Sequence, residues 1–388
     1  MKFIYSLLTK SFFTIICVYI FLFVYTFFNY ENEFKDTFKS LENLNFHEKY
    51  SKKIHHIREE NSLKRIFKQA NVNDLLYSTV NSLENKKNIV LFQGDSWFQG
   101  ITLKGIYNLK LIKEMIKTGE DNSIGFINAG IASYSPSLMS VQLDTLENDF
   151  NILPNILIAF INQSDIGDEI CRYQKNKVFK NGILYSVDPE KDISGQGWFN
   201  YQQSYIFSKI YLSKKNKFIK TFSLINSKYK YSLSRSTKRF YRKYLSTDEV
   251  SKIRLKKCYN EDMEKYLIKP TVDDINYFKS SINEYLNKIK KKKHIKKLIL
   301  VSFPSKNHFK DKNNSKAIYS FNVSNTIDDI IKNRENIKHI NFSKLLLNNE
   351  NFKERENIWR DDNIHLKPKY YSNLFLKKIL SELLENIL

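Results

Sequence analysis

The chain has 388 residues, and its 63 Lys and Arg against 41 Asp and Glu give a formal net charge of +22 at pH 7. This length is enough for one large domain or two smaller ones with a sizeable apolar core. The charge favours an anionic partner such as a membrane surface or an acidic glycan. No nucleic-acid-binding motif accompanies it, so we expect no nucleic-acid partner. A lysine-biased composition, which gives lysine-rich solvated surfaces, is the favoured explanation of the charge.

A continuous apolar segment lies at the amino terminus. After Lys2 and Lys10, residues 11–28 contain no charged side chain, and about 18 helical residues extend roughly 27 Å, close to the hydrocarbon thickness of a bilayer. Basic residues precede the segment and acidic residues follow it, so the amino terminus should stay in the cytoplasm. We therefore predict an uncleaved, single-pass anchor over residues 1–30 and an extracytoplasmic (periplasmic) body. A cleaved signal peptide is the alternative.

Residues 31–87 are polar and helix-prone, with charges spread throughout. They predict a stalk that leads into a first packed helix near residues 73–83. The adjacent His55 and His56 invite comparison with a metal site, but neighbouring residues on a helix point apart. We therefore expect a solvated histidine pair there.

The three cysteines are divided between the anchor and the body. Cys17 lies within the apolar segment, which leaves Cys171 and Cys258 for the exported part. These two cysteines could pair in an oxidising compartment, or they could be two unrelated small core residues.

Strands and helices alternate from residue 88 onwards. Runs of branched and aromatic residues predict five strands, at residues 88–93, 124–128, 156–161, 298–303 and 337–342. Apolar residues at helical spacing predict five helices, at residues 105–117, 136–150, 273–290, 325–332 and 368–388. This alternation predicts an α/β fold in which a parallel sheet has helices on both faces. The fold is expected to comprise two parts, residues 88–172 and 272–388.

Residues 173–271 interrupt this alternation as an insertion. It begins with a predicted hairpin whose Asn181-Gly182 pair suits a type I′ turn. A basic, tyrosine-rich tract follows at residues 228–244. We interpret the insertion as a mostly helical cap over the carboxyl edge of the sheet. Basic residues interleaved with aromatic ones could instead bind a glycan or a nucleic acid.

Two polar motifs far apart in the chain suggest nucleophilic catalysis. Ser96 follows Gly94, a residue suited to a sharp turn, at the expected carboxyl end of a parallel strand, where open α/β sheets bind ligands. Asp362 and His365 lie three positions apart before the last helix. A serine hydroxyl needs a base such as imidazole, which a carboxylate can orient. We therefore predict Ser96 as nucleophile, His365 as base and Asp362 as orienting group, although Ser96 and Asp362 could merely cap helices.

The first and last motifs resemble blocks of the SGNH/GDSL hydrolase superfamily. Gly94-Asp95-Ser96-Trp97 is similar to the first block, Asp362-Asn363-Ile364-His365 to the last, and Asn128-Ala129-Gly130 to the second. The resemblance covers about residues 88–172 and 296–388. It implies the SGNH hydrolase fold, a flavodoxin-like three-layer sandwich with a five-stranded parallel sheet. It also implies that the backbone N–H groups of Ser96 and Gly130 donate to the oxyanion.

The third block departs from the family pattern. Its usual G-x-N-D aligns with residues 162–165, which puts Ser164 where the oxyanion asparagine is expected. Asn162 lies two residues earlier, on the same side of an extended chain. Either Ser164 or Asn162 could therefore complete the oxyanion hole. The variant resembles the S-D form of some membrane-associated members, and a non-catalytic relative is the alternative.

Together these features predict a serine esterase that removes acyl groups from a cell-envelope glycan or lipid through a seryl-acyl intermediate. An O-acyltransferase that acts on an envelope polysaccharide with the same three residues is one alternative. A non-catalytic envelope-binding module is another. No cofactor is expected. Asp165, Asp168 and Glu169 are expected to stabilise the loop after the third strand rather than bind a metal, because no further ligand cluster accompanies them.

Overall fold

The computed structural model describes eleven stretches of the chain, namely residues 2–37, 41–58, 72–102, 109–189, 216–222, 224–225, 269–309, 320–334, 336–347, 358–360 and 365–387. Asp362, Cys258 and the basic tract at 228–244 lie outside them. The chain forms two compact units. One comprises Met1–Ser51 with Lys191–Lys256, and the other comprises Lys52–Glu190 with Lys257–Leu388.

The amino-terminal segment is a long helix, as its composition predicts. Helix α1 spans Lys2–Phe28, and it is followed by α2 (Tyr30–Thr37) and α3 (Leu41–Lys53). Within α1, Thr9–Phe28 has a mean hydropathy of 2.2, and only 6% of this stretch is buried. The helix is long and apolar enough to cross a membrane or to act as a signal anchor. Its orientation in a membrane stays a prediction.

The second unit is built on a six-stranded sheet in the order β1-β3-β2-β4-β7-β8, and β5 and β6 form a separate hairpin. The strands within the described residues are β1 Ser78–Thr79, β2 Asn88–Gln93, β3 Ile124–Asn128, β4 Ile156–Phe160, β5 Lys177–Lys180, β6 Ile183–Val187, β7 Lys297–Ser302 and β8 Ile337–Asn341. All neighbouring pairs from β3 to β8 of this sheet are parallel. Numbered along the chain, the five parallel strands lie in the order 2-1-3-4-5. This order is flavodoxin-like, as the resemblance noted in the sequence analysis implies.

Helices connect these strands. They are α4 Ser96–Thr102, α5 Leu109–Asp121, α6 Pro136–Phe150, α7 Asp165–Gly167, α8 Val272–Lys291, α9 Asn322–Ile331, α10 Phe342–Leu347, α11 Pro368–Tyr370 and α12 Lys377–Ile387. A π-helical segment, Asp168–Tyr173, follows α7, and another, Tyr371–Leu376, joins α11 to α12. Extra residues of this kind within helices are frequent at functional sites.

The predicted helix near residues 73–83 is wrong. Val72–Leu75 forms a single 3₁₀ turn, and Ser78–Thr79 forms β1, which pairs antiparallel with the edge of β3. The unpaired edge of β3 offers backbone partners to this segment, and such tertiary pairing overrides a weak local preference for helix.

The hairpin prediction is confirmed. Asn181 and Gly182, between β5 and β6, both have positive φ angles, 52° and 72°, as a type I′ turn requires.

Cys171 is disulfide-bonded, whereas Cys17 is free.

Aromatic side chains fill the core on the side of the sheet that carries the end of the chain. The Trp97 ring lies 5.1 Å from that of Phe160, 4.8 Å from that of Phe303 and 4.9 Å from that of Phe375, measured between centroids. Trp97 is 1% exposed. This packing holds the beginning of α4 against β4, the residue after β7 and the π-helical segment that precedes α12.

Candidate active site

Ser96 and His365 meet at the carboxyl edge of the sheet. Ser96 is the first residue of α4, and its Oγ lies 2.7 Å from Nε2 of His365. The two residues are 269 positions apart in the chain. Both residues are partly exposed. A hydrogen bond of this length lets Nε2 accept the hydroxyl proton.

Gly94 allows the chain to turn sharply between β2 and Ser96. Its φ of +150° is one that L side chains rarely adopt, and an added Cβ would lie 2.8 Å from Cβ of Phe160 and 2.9 Å from its carbonyl oxygen. Only glycine permits this close approach to the end of β4. The turn brings Ser96 to the crevice between β2 and β4, the point where the strand order reverses and ligands bind in such folds.

The segment around His365 is held by a backbone hydrogen bond to Arg360 and by contacts with the turn that carries Ser96. The carbonyl oxygen of His365 accepts a 2.8 Å hydrogen bond from the Arg360 N–H, and the imidazole lies 6.0 Å from the Trp97 ring, between centroids. Tyr371 Oη donates a hydrogen bond to the carbonyl oxygen of Trp97. Asp362 lies outside the described residues, so its role as the orienting carboxylate stays a prediction.

Asp95 is a buried carboxylate beside the nucleophile. Its Oδ1 accepts a 2.8 Å hydrogen bond from the Trp97 N–H, and its Oδ2 accepts one from Asn162 Nδ2. Burial raises the pKa of Asp95 to about 6, and the hydrogen bonds from the Trp97 N–H and the Asn162 amide limit that rise. Asp95 therefore links the turn after β2 to the turn after β4.

Asn162 and Ser164, the two alternatives for the third block, bond to each other. Asn162 Oδ1 accepts hydrogen bonds from the Ser164 N–H (2.6 Å) and from Ser164 Oγ (2.5 Å). Because Ser164 donates its hydroxyl hydrogen to Asn162, that hydrogen is already used. The Asn162 amide carries two hydrogens and donates one to Asp95, which leaves a second hydrogen for a ligand.

The second-block glycine is engaged within its own loop. The Gly130 N–H donates a 2.9 Å hydrogen bond to Asn128 Oδ1. A Cβ at Gly130 would lie 2.4 Å from the backbone nitrogen of Gln99, so this loop packs directly on α4. By contrast, the Ser96 N–H is the first of α4 and has no acceptor within that helix.

Arg58, which the sequence analysis did not single out, supports this loop. The side chain is 2% exposed. Its Nε and Nη2 donate to the carbonyl oxygen of Gly130 (3.1 and 2.9 Å), and Nη2 also donates to that of Asn128 (2.7 Å). Nη1 donates to the Asp74 carbonyl and to Ser78 Oγ. All five N–H donors of the guanidinium are thus used. Burial lowers the pKa of Arg58 to about 10, so it stays charged at neutral pH.

The expectation that His55 and His56 are solvated is wrong. They are 1% and 3% exposed. His56 Nε2 lies 2.7 Å from the carbonyl oxygen of Ala132, and the two Nδ1 atoms are 3.1 Å apart. Burial lowers the pKa of His56 to about 3, so both rings are neutral and His56 donates to Ala132. The flanking Ile54 and Ile57, which are fully buried, were the signal in the sequence that this segment packs inside.

Glu169, one of the acidic residues after β4, bonds to the beginning of α6 and so connects the segment after β4 to that helix. The carboxylate of Glu169 accepts hydrogen bonds from Ser135 Oγ (2.5 Å) and from the Ser137 N–H and Oγ (2.7 Å each). It also lies 3.1 Å from Lys177 Nζ. Burial raises the pKa of Asp168 to about 7. Within the described part of the chain, no three His, Cys, Asp or Glu side chains are grouped to hold a metal.

Neither a protein-family model nor a curated protein matches this sequence. Among solved structures, a catalytic mutant of Axe2, an acetylxylan esterase from Geobacillus stearothermophilus, is 8% identical over 78% of this chain and 95% of that chain, with a TM-score of 0.37. A second Axe2 mutant, an acetyl-xylooligosaccharide esterase, is 9% identical over 77% and 96%, with a TM-score of 0.37. LAE5, an alpha/beta hydrolase enzyme from the metagenome of Lake Arreo, Spain, is 10% identical over 77% and 96%, with a TM-score of 0.36. Likeness at this distance does not establish a shared activity.

Proposed function

We propose that this chain is a serine hydrolase of the SGNH/GDSL type that cleaves carboxylic esters. The observation that carries the proposal is the 2.7 Å contact between Ser96 Oγ and His365 Nε2. It lies at the carboxyl edge of a parallel sheet with flavodoxin-like strand order, where such folds bind their ligands. Two residues so far apart in sequence meet there with the geometry that a nucleophile and its base require.

The reaction proceeds through a seryl-acyl intermediate. Ser96 Oγ attacks the ester carbonyl carbon while His365 Nε2 takes the hydroxyl proton, and Asp362 holds the imidazolium through Nδ1. When the tetrahedral intermediate collapses, the bond to the alcohol oxygen breaks and His365 gives its proton to that oxygen. Water then attacks the acyl group, with His365 again as base, and releases the carboxylic acid and free Ser96.

The oxyanion is stabilised by the Ser96 N–H and by the second amide hydrogen of Asn162. The bonds from Asn162 to Asp95 and from Ser164 to Asn162 support this assignment, because they hold the amide in one orientation. Ser164 thereby orients the donor rather than serving as the donor. The Gly130 N–H can also donate to the oxyanion only if its hydrogen bond to Asn128 Oδ1 is released or shared. One such donor typically lowers the activation barrier by about 3–4 kcal/mol.

The enzyme is held at the outer face of the cell membrane by α1 and removes acyl groups from a cell-envelope glycan or lipid. The apolar helix at residues 9–28 supports the location. The disulfide bond of Cys171 supports it independently, because disulfides persist mainly in oxidising compartments outside the cytoplasm.

The proposal is tested with the full-length protein in detergent, a fluorophosphonate probe and short-chain nitrophenyl esters. Ser96→Ala should abolish labelling and lower turnover by about 10³-fold or more. Ser381→Ala removes an exposed hydroxyl on α12 and serves as the matched control, with wild-type labelling and turnover. Unchanged turnover in Ser96→Ala would exclude the assignment.

A further inference from the structure

A short helix at residues 217–222 leaves large apolar side chains exposed. This helix belongs to the predicted insertion and to the same compact unit as α1. Phe218, Ile219 and Phe222 are 56%, 46% and 46% exposed. Their spacing places them on one side of the helix. Side chains of this size cluster on a surface mainly where another apolar phase covers them.

The aromatic residues of this helix pack along α1. The Phe218 ring lies 4.7 Å from that of Phe23, and the Phe222 ring lies 6.2 Å from that of Tyr19, between centroids. Lys217 Nζ lies 4.9 Å from the centre of the Phe27 ring. The order of these contacts shows that the short helix runs antiparallel to α1, from the Phe27 end towards Tyr19.

This direction relates the short helix to membrane depth. Tyr19 and Phe27 are eight positions apart in α1, which corresponds to about 12 Å along the helix axis. The hydrocarbon core is about 30 Å thick. If α1 crosses the bilayer, Phe222 lies well inside the hydrocarbon. Lys217 lies near the end of the apolar stretch, where an ammonium group reaches the lipid headgroups.

We propose that residues 217–222 are a second membrane-contacting element, which buries Phe218, Ile219 and Phe222 in the leaflet at the carboxyl end of α1 and holds Lys217 among anionic headgroups. Exposed apolar side chains beside a membrane-spanning segment, with a lysine at the end nearer the headgroups, are what a lipid-contacting segment requires. The proposal rests on the proposed anchor and is independent of the ester chemistry. It gives this part of the insertion a different role from the cap over the sheet that the sequence analysis expects.

The test places single fluorophores on the full-length protein in vesicles of phosphatidylcholine and phosphatidylglycerol. Cys17 is replaced by serine, since it is free and exposed. Single cysteines are then introduced by Phe218→Cys and Phe222→Cys and labelled with NBD. Val24→Cys on α1 is the positive control, and Leu153→Cys, in the loop before β4, is the negative control. Their side chains are 47% and 44% exposed, close to the 46% of Phe222.

Doxyl-labelled lipids should quench NBD at positions 218 and 222 to at least half the extent seen at position 24, and should not quench it at position 153. If position 24 is quenched while positions 218 and 222 behave like position 153, the second element is excluded and the anchor stands. If position 24 is not quenched either, the anchor and this proposal fail together. The Ser96→Ala comparison of ester hydrolysis is unaffected by either outcome.

Discussion

Tyr371 Oη donates a hydrogen bond to the carbonyl oxygen of Trp97, and this bond joins the helix after His365 to the residue after Ser96. The two rings also contact each other, with centroids 6.1 Å apart. The bond therefore crosses between the two segments that carry the proposed nucleophile and base. It fixes the segment after the base against the nucleophile turn at a point where neither catalytic side chain is itself involved.

Tyr371→Phe keeps the ring and removes the hydrogen bond to the Trp97 carbonyl oxygen. We expect kcat to fall about tenfold with KM nearly unchanged, because small displacements of a base from its nucleophile are costly. Tyr370→Phe, at the neighbouring position, is the matched control and should keep wild-type kcat. Steady-state kinetics with a nitrophenyl ester measure both constants. Equal kcat values for the two variants would show that the bond does not position His365.

Arg58 is expected to be essential for the Gly130 loop. Arg58→Lys retains the charge but loses the planar five-donor geometry, so buried carbonyl groups of Asn128 and Gly130 lose partners. Each such loss costs about 1–3 kcal/mol, and we expect a total decrease of about 2–4 kcal/mol in the free energy of unfolding. Urea denaturation measures it. Arg334→Lys, which affects a single 3.1 Å bond to Asn283, should change that free energy by less than about 1 kcal/mol.

Asn162 and Ser164 are distinguished by their separate variants. Asn162→Ala should lower kcat by about 10²–10³-fold if its amide contacts the oxyanion. Ser164→Ala leaves the backbone N–H of residue 164 on Asn162 Oδ1 and should lower kcat by about tenfold or less. Pre-steady-state acylation rates give the comparison directly. A larger loss in Ser164→Ala than in Asn162→Ala would assign the donor role to the serine hydroxyl instead.

His56 is expected to make the fold sensitive to acid. Its pKa is about 3 in the folded protein against 6.5 when exposed, so the unfolded chain binds more protons between these values. The contribution of His56 to the free energy of unfolding is fully present above pH 6.5. It falls by about 1.4 kcal/mol per pH unit as the pH decreases from 6.5 towards 3. Asp95, with its pKa raised to about 6, acts oppositely: its contribution is present below pH 3.8 and is lost as pH rises through 6.

The His56 contribution is isolated by comparison with His56→Gln. The difference in unfolding free energy between wild type and this variant should shrink as the pH is lowered from 6.5 to about 4, because glutamine does not titrate. Urea denaturation at several pH values measures it. His294→Gln, at a partly exposed site, should show a shallower dependence. A difference that is independent of pH would mean that His56 is not held neutral.

Much of the architecture follows from local patterns in the sequence. The runs of branched residues predict strands β2 and β3 with their observed bounds, and Asn181-Gly182 predicts the hairpin turn. The alternation of strands and helices predicts the parallel sheet. Ser96 follows the carboxyl end of β2, and His365 precedes the last helix. These two positions predict that the side chains approach each other at the carboxyl edge of the sheet. These features depend on neighbours in sequence or on general rules of sheet topology, so no tertiary information is needed.

The burial of polar groups was decided only by the tertiary structure. Arg58 and His56 look like solvent-exposed residues in a polar segment, yet they are buried because the carbonyl groups of Asn128, Gly130 and Ala132 accept their hydrogen bonds. The bond from Asn162 to Asp95 joins the ends of two strands, and the packing of residues 217–222 on α1 joins segments almost 200 positions apart. A buried donor is stable only beside its acceptor, and the sequence alone does not show which distant groups become neighbours.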